Sequence, residues 1–213
     1  MAFAYPKRML SKLYREIGLS NQEYEARHLR TAYAGFLKLD LYEATIRNGS
    51  HCVEVVREVH DHGHGATVLP YDAARRTALL VRQMRMPVHV AEGDGMLLET
   101  AAGVIDPEDA SPLEAARREA REELGYVLRE LTPAMTFYPI PGLVTEQMHC
   151  FLAPYTPADK LEGDTGADDD EVLDVEEWPL KELWAAMGDG RLKDGKAIVC
   201  LYALRFAHPE LFD

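Results

Sequence analysis

The chain has 213 residues, 47% of them hydrophobic, and carries 36 acidic against 23 basic side chains, for a formal net charge of -13. That length suits one large domain, or one domain with a small appendage, and it supplies enough apolar matter for a core. The acidic balance argues against a nucleic-acid binder, which needs a basic face for phosphates, but a phosphorylated ligand stays open because divalent cations reverse the local sign of a carboxylate-lined cleft. No window approaches the ~18 uninterrupted apolar residues of a membrane span, and the N-terminal residues lack the apolar stretch of a signal peptide. Cys52, Cys150 and Cys200 are widely separated and form no metal-like pair. Free thiols in a reducing, cytoplasmic setting are expected.

Residues 7 to about 38 read as helical and amphipathic, with Leu10, Leu13, Tyr14 and Ile17 at helical spacing, Gly18 as a stop and Ser20 as a cap for a second helix. From Leu39 the period becomes two, and Asn48-Gly49 is a hairpin signal with Cys52 to Val59 as the return strand. His60, His62 and His64 alternate through a glycine-rich loop. Such a face could hold zinc, but no second ligand set accompanies it, and ordinary exposed histidines are the simpler reading. Further strands are expected at 66–71, 77–84, 97–102, 134–138, 146–154 and 172–178, with helices at 112–124, 179–187 and 195–207. This alternation predicts an α/β (α+β) fold, a mixed sheet with helices packed on it. The expected division is a helical extension at 1–38, a β-strand subdomain at 39–64 and the main domain at 65–213.

The helix at 112–124 carries the chemistry. Glu119, Glu122 and Glu123 stand at i, i+3 and i+4, so their carboxylates share one face, while Leu113, Ala116, Ala120 and Leu124 form a neighbouring apolar stripe. Each like-charge pair costs a few tenths of a kcal/mol. A hard divalent cation offsets that repulsion, and clustered carboxylate oxygens are what Mg2+ prefers. Arg118 lies one turn before Glu122, where it can fix a carboxylate rotamer. The plainer alternative is a solvated helix whose counter-charges come from Arg117, Arg118 and Arg121.

Gly103 and the run Arg118-Glu119-Ala120-Arg121-Glu122-Glu123-Leu124-Gly125 resemble the Nudix signature G-x5-E-x7-R-E-U-x-E-E-x-G-U, where U is a bulky aliphatic residue. The span from Gly103 to Arg118 is one residue longer than the signature, the family's first Glu has no clean match, with Glu108 and Asp109 nearby, and Ala120 and Tyr126 replace aliphatic residues. Leu98-Glu99-Thr100-Ala101-Ala102-Gly103, Leu80-Val81-Arg82-Gln83-Met84-Arg85, Pro139 to Glu146 and Asp194-Gly195-Lys196 resemble the branch of ADP-ribose and GDP-mannose hydrolases, the GDP-mannose subgroup most closely.

The resemblance implies a Nudix α/β/α sandwich and Mg2+-dependent cleavage of GDP-mannose to GMP and mannose 1-phosphate, with Mn2+ as a substitute ion. ADP-ribose hydrolysis to AMP and ribose 5-phosphate is the near alternative, and a non-catalytic nucleotide-binding regulator the remoter one. By the same resemblance Glu119, Glu123 and the Ala102 carbonyl are metal ligands, Glu122 is a ligand or aids a second ion, and Arg118 orients a metal-binding Glu. The water-activating carboxylate is expected in the acidic loop, with Asp169 nearest in register and Asp170 and Glu171 as rivals. Arg82 and Arg85 are candidates for gripping the diphosphate, since arginine offers paired donors, and Glu99 for accepting from one of them. Glu146 and Arg57 are further candidates for substrate contact, Arg57 across a subunit boundary. Relatives in this branch imply a homodimer with exchanged N-terminal strands, expected within 40–59.

Overall fold

The computed structural model describes residues 22–163 and 172–213. It comprises two compact units that divide between His62 and Gly63. The N-terminal unit is an antiparallel meander of β1 (Gln22–Ala34), β2 (Lys38–Asn48) and β3 (His51–Asp61). Here the helical expectation for 7–38 is corrected over Gln22–Ala34, which is a strand of 13 residues; residues 1–21 lie outside the described residues. The glutamates, alanines and arginines of this stretch favour a helix only weakly, and pairing with β2 overrides that preference. The alternation that permits it is present, because Tyr24, Ala26 and His28 face Ile46, Ala44 and Tyr42 across the ladder. Val53, Val55 and Arg57 continue the same face on β3. The opposite face carries Glu23, Glu25, Arg27, Glu43, Arg47 and Glu54. Gly49, at φ +60°, makes the predicted hairpin turn between β2 and β3. Asp40 pairs with Lys38 at 2.6 Å and accepts from Thr31 at 2.6 Å. These bonds, that from Lys38 first, hold its carboxyl well below the usual range.

The C-terminal unit is built on a mixed sheet of β4 (Gly65–Asp72), β5 (Thr77–Met84), β6 (Met96–Glu99), β7 (Ala101–Val104), β8 (Thr132–Phe137), β9 (Met148–Pro154) and β10 (Leu173–Pro179). The order along its main path is β10-β5-β4-β9-β8, with β6 on β5 and β7 on β4. β4 and β9 run parallel and the remaining pairs antiparallel. Strand β4 is buried at nearly every residue, as expected of a strand covered on both faces. Helices α1 (Met86–Glu92), α2 (Pro112–Leu124), α3 (Leu180–Asp189) and α4 (Gly195–Ala207) complete the unit.

Side-chain alternation divides the core in two. Ala66, Val68, Leu79, Val81 and Ala101 pack with Ala115, Ala116, Ala120 and Leu124 of α2. Leu69, Leu80, Leu98, Cys150 and Leu152 pack with Leu183, Ala186, Cys200, Leu201 and Leu204 of α3 and α4. The result is the α/β/α sandwich that the family resemblance implied. Trp178 and Trp184 pack against the second core. All three cysteines are free. Among the described residues no helix is long and apolar enough to cross a membrane.

Candidate active site

Helix α2 is delimited by its own sequence. The Ser111 hydroxyl accepts the Glu114 N–H at 3.3 Å, Pro112 fills the first turn, and Gly125 closes the helix in the left-handed region at φ 71°. The buried stripe is largely alanine, so the helix approaches the sheet closely. That approach takes two of its carboxylates down to β7. Glu119 is 8% exposed and Glu123 3%. Glu123 accepts the Ala102 N–H at 2.9 Å, and the Glu119 carboxylate lies over Gly103 so tightly that a Cβ there would overlap it.

Arg118 organises the rest. Its Nη1 donates to Glu119 Oε1 and to Glu122 Oε2, each at 2.8 Å. Its Nη2 donates to Asp109 Oδ2 at 3.0 Å and to the Val104 carbonyl at 3.1 Å. Asp109, the first cause, and then the glutamates raise the arginine's pKa against its own desolvation, so the group is a fixed cation. Asp109 thus occupies the place that the sequence left open between Glu108 and Asp109. Five residues separate it from Gly103, as the signature requires of its first Glu, and the extra residue falls among the eight between Asp109 and Arg118. Its carboxyl is held low by the Arg118 bond. Counting forward from Gly103 would have found it.

A second cluster lies beside the first. Arg85, the residue before α1, donates from Nε and Nη2 to the two oxygens of Glu99 at 2.7 and 3.1 Å. Lys196 Nζ donates to Glu99 at 2.9 Å and to Asp194 at 2.8 Å, and Asp194 also caps α4 by accepting the Lys196 and Ala197 N–H groups. Burial opposes charge on Arg85, but Glu99 and then Glu123 outweigh it, which places the guanidinium within electrostatic reach of the helix carboxylates. The run Asp194-Gly195-Lys196 was visible in the sequence; its role in holding Glu99 was not, because 97 residues separate the partners.

Not every candidate joins these clusters. Arg82 shares the α3/α4 side of β5 with Ala78 and Leu80, and there it forms a paired bridge to Glu176 at 2.5 and 3.1 Å. The two arginines of this strand end are therefore not brought together. The Glu146 carboxylate approaches Gly65 alongside Met148, whose side chain belongs to the α3/α4-side core. Arg57 belongs to the N-terminal unit, opposite Tyr42. Asp169, Asp170 and Glu171 lie outside the described residues.

The donor set fits a hard divalent cation. Glu119, Glu122 and Glu123 offer only oxygen, and the cleared position at Gly103 keeps the Glu119 carboxylate against the backbone of β7. Among the described residues no three acidic, histidine or cysteine side chains converge as a closed cage; Glu119 and Glu122 turn instead toward Arg118.

The sequence profile of the NUDIX domain matches residues 61–198. The chain belongs to the Nudix family. It is 47% identical over 150 residues to a GDP-mannose pyrophosphatase of Yersinia enterocolitica, covering 70% of this chain and 77% of that protein. A GDP-mannose pyrophosphatase of Pectobacterium atrosepticum is 42% identical over 162 residues, 76% of this chain and 82% of the relative. Among solved structures, the crystal structure of an ADP compounds hydrolase superposes with a TM-score of 0.66 at 19% identity, over 89% of this chain and 95% of the other; this likeness shows the Nudix fold. As a Nudix hydrolase the protein is an enzyme of the pyrophosphohydrolase class that works with a divalent metal.

Proposed function

We propose that the protein hydrolyses the pyrophosphate link of a nucleoside diphosphate sugar with Mg2+, cleaving GDP-mannose to GMP and mannose 1-phosphate. The observation that carries this reading is the gathering of Glu119, Glu122 and Glu123 around Gly103 and one guanidinium, in a chain 47% identical to a GDP-mannose pyrophosphatase. Glu119, Glu123 and the Ala102 carbonyl would hold the ion, and Glu122 would serve the same ion or a second one. Bound Mg2+, or Mn2+ in its place, would neutralise the diphosphate, polarise a phosphorus centre and acidify a water.

The protein's own groups do the remaining work. Arg118, anchored by Asp109, keeps Glu119 and Glu122 in one rotamer as substrate enters. Arg85 has its Nε and one terminal nitrogen committed to Glu99, so its other terminal nitrogen can donate to a phosphate oxygen in a fixed orientation. Lys196 backs Glu99 and prevents that carboxylate from turning away. The proton of the attacking water passes to a carboxylate of the acidic loop, Asp169 first and Asp170 or Glu171 in its stead. Arg82 and Glu146 remain candidates for substrate contact, Arg82 only if it leaves Glu176.

A homodimer with exchanged N-terminal strands fits the meander. Its apolar face of Tyr24, Ala26, Tyr42, Ala44, Ile46, Val53 and Val55 belongs to a sheet whose first strand is exposed at all 13 residues, and such a face needs a cover. Arg57 lies on that face and would reach the partner's substrate. A cytoplasmic location suits the free thiols.

The test is phosphate release from a panel of nucleotide sugars with Mg2+, coupled to a phosphatase. GDP-mannose is expected to turn over best and ADP-ribose less well. Folded, metal-loaded protein that cleaves no member of the panel would overturn the proposal, and a monomer peak in light scattering would remove the dimer.

A further inference from the structure

A row of cross-strand neighbours connects the metal helix to the far edge of the sheet. Gly103 stands opposite Ala66 on β4, Ala66 opposite His149 on β9, and His149 opposite Thr136 on β8. Directly paired residues project from the same face. Ala66 packs on the α2 side and Gly103 lies beneath Glu119, so His149 and Thr136 project from the α2 side as well, at the level of Glu119. With strands about 4.8 Å apart, His149 stands about 10 Å along the sheet from Gly103. The one intervening position, Ala66, contributes nothing larger than a methyl group.

The far end of this row is polar, neutral and internally braced. His149 is half-buried and its Nδ1 lies 3.2 Å from the Thr136 hydroxyl. Gln147 and Tyr138, which flank the neighbouring ends of β9 and β8, are joined by a bond of 2.7 Å from Gln147 Nε2 to the Tyr138 hydroxyl. The Gln147 N–H donates to His64 Nδ1 at 3.1 Å, which leaves the proton of a neutral His64 on Nε2. Burial, and then the neighbouring His64, lower the His149 pKa from 6.5, so its ring is uncharged at neutral pH. Among the described residues nothing engages His149 Nε2.

Such a set matches a particular ligand. Phosphate calls for cations, and a nucleobase calls for flat apolar walls. Neutral donors and acceptors held at fixed heights suit the hydroxyls of a sugar, and sites built to bond a hydroxyl reject analogues that misplace it. We propose that Thr136, Tyr138, Gln147, His149 and His64 form the subsite for the sugar half of the substrate, and that His149 determines which sugar is accepted by hydrogen-bonding one of its hydroxyls. The inference rests on the nucleoside diphosphate sugar reading above.

The experiment compares wild type, His149→Ala and His149→Asn on GDP-mannose, GDP-glucose and ADP-mannose, which vary the sugar and the base separately. His149→Ala is expected to raise the KM for GDP-mannose about tenfold with little change in kcat, and to bring the mannose-to-glucose preference toward unity. The guanine-to-adenine preference should not move, and His149→Asn should recover part of the loss. Unchanged KM and sugar preference would overturn the proposal, as would a shift in base preference alone. A second measurement needs no turnover or variant stability: the His149 ring signals of wild type are followed by NMR as mannose 1-phosphate is added with Ca2+. A saturable shift supports the subsite and its absence overturns it, even where no nucleotide sugar is cleaved and the functional reading itself has failed.

Discussion

Two ionic clusters stand side by side on this fold, and they differ in balance. Around Arg118 one cation meets four carboxylates, those of Asp106, Asp109, Glu119 and Glu122. In the other, Arg85 and Lys196 meet Glu99 and Asp194, two against two. The surplus lies on the exposed carboxylates, because the Asp106 and Glu122 side chains are 54% and 28% exposed, whereas those of Glu99 and Asp194 are 2% and 7%. A negative surplus survives where water reaches it, while an uncompensated charge in a closed interior costs several kcal/mol. The balanced cluster reads as the scaffold that fixes Arg85. The surplus suits a site that draws its last positive charge from solution.

The largest expected effect tests the carboxylate face on which the surplus lies. Glu123→Gln keeps the shape and the bond to Ala102 but removes one negative charge, and turnover should fall by roughly 10^3-fold, beyond the 10- to 100-fold typical of outer-shell partners. Thermal unfolding of the metal-free protein should change little. A variant that retains activity would place the ion elsewhere.

The balanced cluster should respond in the opposite sense. Glu99→Gln leaves Arg85 and Lys196 without their shared counter-charge, and stability should drop by about 3 kcal/mol in urea unfolding. Its pH dependence follows from the shift. Burial opposes the charge on Glu99, but the Arg85 bond and the Lys196 charge prevail and hold the carboxyl below 4.5. Its contribution is therefore complete above the unfolded value and is lost as pH falls through the lowered folded value. Lys196 is raised above 10.5, so its contribution is complete below that value and is lost only as pH rises through the raised one. The gap between wild type and Glu99→Gln should be flat from about pH 6 to 9 and close in acid. A gap that widens in acid would refute the balance argument.

Two smaller effects sharpen the picture. Asp169→Asn should slow turnover by about 10^2-fold without altering cation affinity; unchanged turnover moves the proton acceptor to Asp170 or Glu171. Asp109→Asn loosens Arg118 and should cost about tenfold in activity, recoverable in part at higher Mg2+. No recovery would mean that Asp109 acts otherwise than through Arg118.

Local order was legible in the sequence to the extent that it was written locally. Helix α2 begins at Pro112 and ends at Leu124 as read, because Ser111 and Gly125 mark its limits chemically. β5 keeps its expected bounds, and α4 does too, since Asp194 caps it. The strand β1 was misread because Glu, Ala, Arg and Leu speak for a helix while the pairing that decides the matter lies on β2. The short helix α1 went unseen: Pro87 in its first turn and Gly93 at its end were the available signals, and it has no buried residue to give it a period. The glutamates of α2 were marked by their spacing together with the family signature. Lys196 beside Glu99, and His149 level with Glu119, could not, since both follow from sheet register and long-range packing.

Gly103 carries a consequence for how the enzyme tolerates change. The Glu119 carboxylate fills the space where any side chain at that position would begin. A protein with alanine there must have pushed the glutamate aside, although the strand itself accepts alanine readily. With Glu119 as the proposed metal ligand, position 103 offers a lever that separates grip on the ion from integrity of the fold, and Gly103→Ala should give a folded protein with weakened metal binding.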